Sequence, residues 1–264
     1  MTAQSLRSWT TGTGDAESML AEARKALFVM VGFLALLWII QIANVADHYG
    51  LVSEFGIRSR SLSGLPDIFT SPFIHLSWTH IEANSGPLFI FGFLAAYRGV
   101  VRFLGLTVLV IITSGFAAWL TAPTNSVGVG ASGVVFGYLG YILVRGLFDR
   151  HLVDLIIGAV MALCFAYQFT VLLPHAGIGW QDHVGGLVGG VVGGWVFRDR
   201  ARVRAMKAAR PPKAAKAPKA GKPATANAPA STGTAVVPAT GSSSTVPHPG
   251  PRADLHKELD DLGL

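Results

Sequence analysis

A single serine sits among glycines in Gly128-Val129-Gly130-Ala131-Ser132-Gly133, and the apolar run Val134-Val135-Phe136-Gly137-Tyr138 follows it. Further along, His183 occupies a matching place in Asp182-His183-Val184-Gly185-Gly186-Leu187-Val188-Gly189-Gly190. Serine is a weak nucleophile unless a base lies within hydrogen-bond reach. Histidine is such a base near neutral pH, and it can return the proton to a leaving amine. Together the two residue types could carry acyl transfer. Both stand at the starts of apolar, glycine-striped helical runs, which places the pair inside a membrane.

The elements that must position them follow from composition. The 264-residue chain is 51% hydrophobic and 14% charged, whereas soluble domains carry roughly 25% charge. This argues for an all-α polytopic membrane protein. The net charge of +6 is assigned to cytoplasmic loops and anionic lipid, with no nucleic-acid partner. One cysteine, Cys164, excludes an intrachain disulfide and a cysteine-based zinc site.

Residues 1–25 are polar and read as a cytoplasmic tail, with helix expected near Asp15 to Lys25. The apolar run Ala26 to Val45 is long enough to span a bilayer and too long for a signal-peptide core. Residues 46–79 form a long loop at the membrane surface, broken by Gly50, Gly56, Gly64, Pro66 and Pro72. Five more apolar runs lie near 80–97, 103–122, 132–148, 152–173 and 181–197. Six spans with both termini inside put Arg7, Arg24, Lys25, Arg98, Arg102, Arg145, Arg150, Arg198, Arg200, Arg202 and Arg204 on the cytoplasmic side, leaving Arg58 and Arg60 outside. Residues 201–264 form a basic Ala/Pro/Lys-rich tail, expected to be mostly disordered. Its Lys207, Lys213, Lys216, Lys219 and Lys222 are candidates for lipid attraction. A short C-terminal helix over 253–264 is too brief to stand alone.

This topology sends the second, fourth and sixth spans from outside to inside. His80, Asn84, Ser132 and His183 then fall at one depth, toward the outer leaflet, where polar residues in membrane helices are functional candidates. Gly186, Gly190 and Gly194, with a second stripe at Gly185, Gly189 and Gly193, face Gly133 and Gly137 as small residues that let helices approach closely. Phe136, one turn beyond Ser132, can pack on the imidazole. The Ser132 backbone N–H, His80 and Asn84 are candidate donors to an oxyanion. Asp182 is adjacent to His183 and points about 100° away on a helix, so the reading is a dyad. No HExxH spacing exists, and no metal or other cofactor is expected. Each motif has a plainer reading: glycine and serine pack many membrane helices, and His80 with Asn84 could tie two helices together. Their combination at one depth favours a site.

The sequence resembles the rhomboid family of intramembrane serine proteases. The resemblance rests on His80-Ile81-Glu82-Ala83-Asn84, Gly130-Ala131-Ser132-Gly133, His183-Val184-Gly185-Gly186 with Gly190, and the approach Phe73-Ile74-His75-Leu76-Ser77-Trp78-Thr79. It covers about residues 26–200. It implies a six-transmembrane-helix rhomboid-like bundle, a Ser132–His183 dyad, and an oxyanion site of His80, Asn84 and the Ser132 amide. It also implies cleavage of single-span membrane proteins in or near their transmembrane segment, without metal or ATP. Gly64-Leu65-Pro66-Asp67 stands where many members carry a Trp-Arg pair. The alternative is a non-catalytic rhomboid-like protein that binds membrane clients, and relatives of that kind usually lack the serine or the histidine. A transporter would favour internal repeats and ionisable groups through the bilayer middle. With no organelle transit signal, a bacterial plasma membrane is expected.

Overall fold

The computed structural model describes residues 3–174 and 179–208. The expected lipid-binding lysines beyond 208 and the C-terminal helix lie outside the described residues. Helix α1 runs from Ala3 to Ala46, well beyond the expected span. From Ala16 to Arg24 the residues are mainly strong helix formers (Ala, Glu, Met, Leu, Arg), so nothing stops the helix at the membrane boundary.

The loop that follows is ordered by short elements. Helix α2 is Gly50–Phe55 and strand β1 is Ile57–Arg58. Three 3-10 turns cover Leu62–Gly64, Pro66–Ile68 and Ser71–Phe73. Trp119 Nε1 donates to the Ser61 carbonyl at 2.8 Å, and Ile68 fills the space beside Gly115. The Gly64-Leu65-Pro66-Asp67 stretch is thereby held on the helix that carries Gly115 and Trp119.

Helix α3 (Trp78–Ala96) starts from Ser77, whose Oγ accepts the His80 N–H at 3.1 Å, the bond expected of a serine cap. Helix α4 is Val100–Thr121 and strand β2 is Val127–Gly128. β1 and β2 pair antiparallel, with Ile57 opposite Gly128. Helix α5 is Ser132–Asp149, α6 is Leu152–Cys164, α7 is Trp180–Val196 and α8 is Arg200–Ala208. α6 breaks at Phe165 and continues as a 3-10 helix over Ala166–Leu172, bent by 69°.

Two helices, Ala16–Ala46 and α4, are long and apolar enough to cross a membrane alone, and α6 with its bent continuation could form a third span. Helices α3, α5 and α7, expected as further spans, are shorter or less apolar for identifiable reasons. α3 holds His80, Glu82 and Asn84, α5 holds Arg145 and Asp149, and α7 has only 17 residues, many of them glycine. Thirteen of the eighteen α5 residues are buried, so α5 is the central helix, against which α3, α4, α6 and α7 pack.

Glycine sets the α5–α7 approach. A Cβ added at Gly186 would run into the Gly133 carbonyl oxygen, and one at Gly190 into the Gly137 carbonyl oxygen. On the other side of α7, Gly185 and Gly189 meet Ala117 and Thr113 of α4. α7 is thus wedged between two helices at backbone contact distance.

Arg145, grouped by sequence with the cations at the ends of the apolar runs, lies inside α5 and not in a loop. It is buried within α5, its Nη2 lying 2.7 Å from Asp154 Oδ1 of α6 and its Nη1 donating to the Leu94 carbonyl of α3 at 3.1 Å. Arg98 pairs with the other oxygen of Asp154. A charge buried this deeply is retained only with such partners.

Candidate active site

Ser132 is the first residue of α5, so its N–H has no acceptor within the helix. The chain reaches it through Gly130 at φ 124°, a conformation that costs glycine little. A Cβ there would lie 2.8 Å from His80 Nε2, so the bare glycine also makes room for the His80 ring. The Gly130 N–H donates to the Ser71 carbonyl at 3.0 Å, and the Ala131 N–H donates to His75 Nε2 at 3.3 Å. The turn that presents Ser132 is therefore fixed from the loop ahead of α3.

His183 lies in the first turn of α7 and is 6% exposed. Its Nδ1 is 2.9 Å from the Val171 carbonyl oxygen. A carbonyl only accepts, so Nδ1 carries the proton and Nε2 keeps a lone pair. Val171 lies in the 3-10 continuation of α6, so the bend at Phe165 delivers this carbonyl to the imidazole. The Phe136 ring sits 4.7 Å from the His183 ring, tilted by 30°.

Asp182 joins these two residues. The Ser132 hydroxyl donates to Asp182 Oδ2 at 3.2 Å, and Asp182 Oδ1 lies 3.8 Å from His183 Nε2. The helical-wheel expectation that Asp182 faces away does not hold at this end of α7. The serine comes from the neighbouring helix, and its hydroxyl meets the Asp182 carboxylate.

His80 and Asn84 occupy one face of α3. His80 Nδ1 accepts the Leu76 N–H at 3.5 Å, which leaves its Nε2 as the protonated nitrogen on the edge toward Gly130. Asn84 is 8% exposed, and its Nδ2 has no hydrogen-bond partner among the described residues. Two side-chain donors on α3 and one backbone donor on α5 therefore remain uncommitted among the described residues. Gly130 shapes the turn, while Gly133, Gly186 and Gly190 hold α5 against α7. Two residues not expected to matter here are His75, which ties down the turn, and Asp182. His75 had a signal in the approach to α3, since it shares that stretch with His80. The Val171 carbonyl had none, because no side chain marks it.

Comparison with known proteins agrees with this architecture. The sequence model of the family described as Rhomboid domain matches residues 63–200, more than half of the chain. The chain is 34% identical over 206 residues to an uncharacterized protein of Mycobacterium leprae, covering 71% of this chain and 80% of that one. An uncharacterized protein of Mycobacterium tuberculosis is 33% identical over 189 residues, covering 67% and 78% of the two chains. The rhomboid protease GlpG of Haemophilus influenzae is 26% identical over 184 residues, covering 68% and 94%. A membrane protein of apolar helices that shares this domain with relatives named as proteases, the chain belongs to the rhomboid family.

Proposed function

We propose that the chain is an intramembrane serine endopeptidase that cleaves single-span membrane proteins in or near their transmembrane segment. The observation that carries this reading is the His183 Nδ1 contact with the Val171 carbonyl at 2.9 Å. It leaves Nε2 as a free base at the end of α7 that packs against the start of α5, where Ser132 stands. His183 Nε2 takes the Ser132 Oγ proton as Oγ bonds to the scissile carbonyl carbon. The resulting oxyanion is met by the Ser132 N–H, His80 Nε2–H and Asn84 Nδ2–H. The imidazolium then protonates the leaving amine, and a water activated by the same nitrogen releases the acyl group. Gly130, Gly133, Gly186, Gly190 and Phe136 hold this arrangement, and no metal or other cofactor takes part.

In this reading α1, α3, α4, α5, bent α6 and α7 form six spans of a plasma membrane. The termini are cytoplasmic, as the concentration of Lys and Arg at that end supports. A bacterial inner membrane fits this arrangement, with the lipid bilayer and single-span proteins as partners. The test is cleavage of a single-span substrate by purified protein, wild type beside Ser132→Ala and His183→Ala. Wild type is expected to cut and both variants to be silent; equal cutting by Ser132→Ala would overturn the assignment.

A further inference from the structure

We infer that Asp182 is a third member of this site: its carboxylate anchors the Ser132 hydroxyl at rest and pairs with the His183 imidazolium during the reaction. The inference rests on the serine-protease reading above. Its Oδ2 accepts the hydroxyl of the nucleophile at 3.2 Å. Its Oδ1 is buried, has no hydrogen-bond partner among the described residues, and lies 3.8 Å from His183 Nε2. With Nδ1 protonated on Val171, Nε2 is a lone pair, and it offers that oxygen nothing.

The situation reverses when the reaction starts. The Ser132 O–H bond breaks, Oγ bonds to the scissile carbonyl carbon, and the proton moves to Nε2. The imidazole now carries a positive charge within ion-pair distance of Oδ1. A contact that is unrewarded in the resting state becomes an ion pair in the transition state, which is the differential binding that lowers a barrier. The resting hydrogen bond must be given up as the hydroxyl turns to His183. A charge–dipole bond is lost and a charge–charge contact in a water-poor site is gained, and the second is the larger. The carboxylate reaches the imidazole from the Nε2 side. It acts on the charge and leaves the tautomer to Val171.

The experiment compares full-length wild type, Asp182→Asn, Asp182→Glu and Ser132→Ala. Asparagine keeps the shape and one acceptor and removes the charge. Readouts are kcat and KM on a single-span substrate, the rate of labelling by a fluorophosphonate probe, and the midpoint of thermal inactivation. In Asp182→Asn we expect kcat and probe labelling to fall together by roughly 10- to 100-fold. KM and the midpoint hold, and Asp182→Glu recovers part of the rate. Wild-type kcat in Asp182→Asn overturns the inference. So does a loss of kcat that merely follows a lowered midpoint, which would mark a packing role. If wild type neither cuts nor labels, or Ser132→Ala cuts equally well, the protease reading fails first and this inference falls with it.

Discussion

His75 Nε2 accepts the Ala131 N–H at 3.3 Å, and Asn44 Nδ2 donates to the His75 carbonyl at 2.9 Å. One loop residue thus connects α1 to the residue immediately ahead of Ser132. His75 is fully buried. Burial, and secondarily the neighbouring His80, push its pKa from 6.5 down to about 3. The ring stays neutral in the folded protein, as its acceptor role requires.

That shift predicts a pH dependence with a definite sign. Above pH 6.5 the ring is neutral whether the chain is folded or not, and the stability from the Ala131 contact is fully present. As pH falls from 6.5 toward 3, the unfolded chain takes up a proton that the folded chain refuses. Stability then drops by about 1.4 kcal/mol per pH unit at most. Unfolding measured from pH 7 to pH 4 should show His75→Gln losing stability less steeply than wild type. Parallel slopes would mean that His75 does not couple folding to protons.

The glycine stripes predict unequal costs for one substitution. Gly186→Ala places a methyl against the Gly133 carbonyl, between two backbones that cannot yield without separating α5 from α7. We expect a loss of about 1–3 kcal/mol and a fall in activity. Gly32, inside α1, has nothing within 4 Å of an added Cβ and is not followed by proline. Gly32→Ala should be neutral or stabilise by up to about 1 kcal/mol, since alanine is the better helix former. Thermal inactivation midpoints decide it, and equal shifts would refute the close-packing account.

These contrasts bear on what could be read beforehand. The helix-to-helix approach was legible because glycines every four residues have few other uses in an apolar run, and Ser132 and His183 stood at the ends of those runs. Asp182 was not, because a helical wheel treats each helix alone, while the hydroxyl that meets it arrives from α5. The α6 bend was hidden for another reason. The apolar stretch around Phe165 contains neither glycine nor proline between 159 and 173, so composition gave no sign of the break that brings the Val171 carbonyl to His183. The extension of α1 toward Ala3 was masked by polar residues, which mark the edge of a membrane and not the end of a helix.

Phe136 offers a test of how much imidazole placement matters. Its ring lies 4.7 Å from His183, on the helix that carries the serine. Phe136→Leu keeps an apolar side chain and removes the ring. The Val171 contact still sets the tautomer, but the imidazole gains freedom to tilt. A displacement of this kind should lower kcat about 10-fold or more with little change in KM. A KM effect alone would place Phe136 in substrate binding.

At the other end of α5, Arg145 and Asp154 are each 4% exposed. Removing one partner leaves the other charge buried. Asp154→Ala strips the main counter-ion from Arg145, whose Nε is already without a partner among the described residues; a loss of about 3–5 kcal/mol is expected. Replacing both, as Arg145→Met with Asp154→Leu, removes the two charges together, and much of that loss should return. The Leu94 carbonyl and Arg98 lose partners in the double variant, so recovery should be incomplete. Midpoints for the single and double variants separate the cases. If Asp154→Ala costs under about 1 kcal/mol, the pair is screened by water in the manner of a surface ion pair. If the double variant is no better than the single, the ion pair itself, and not the avoidance of a lone buried charge, holds α3, α5 and α6 together.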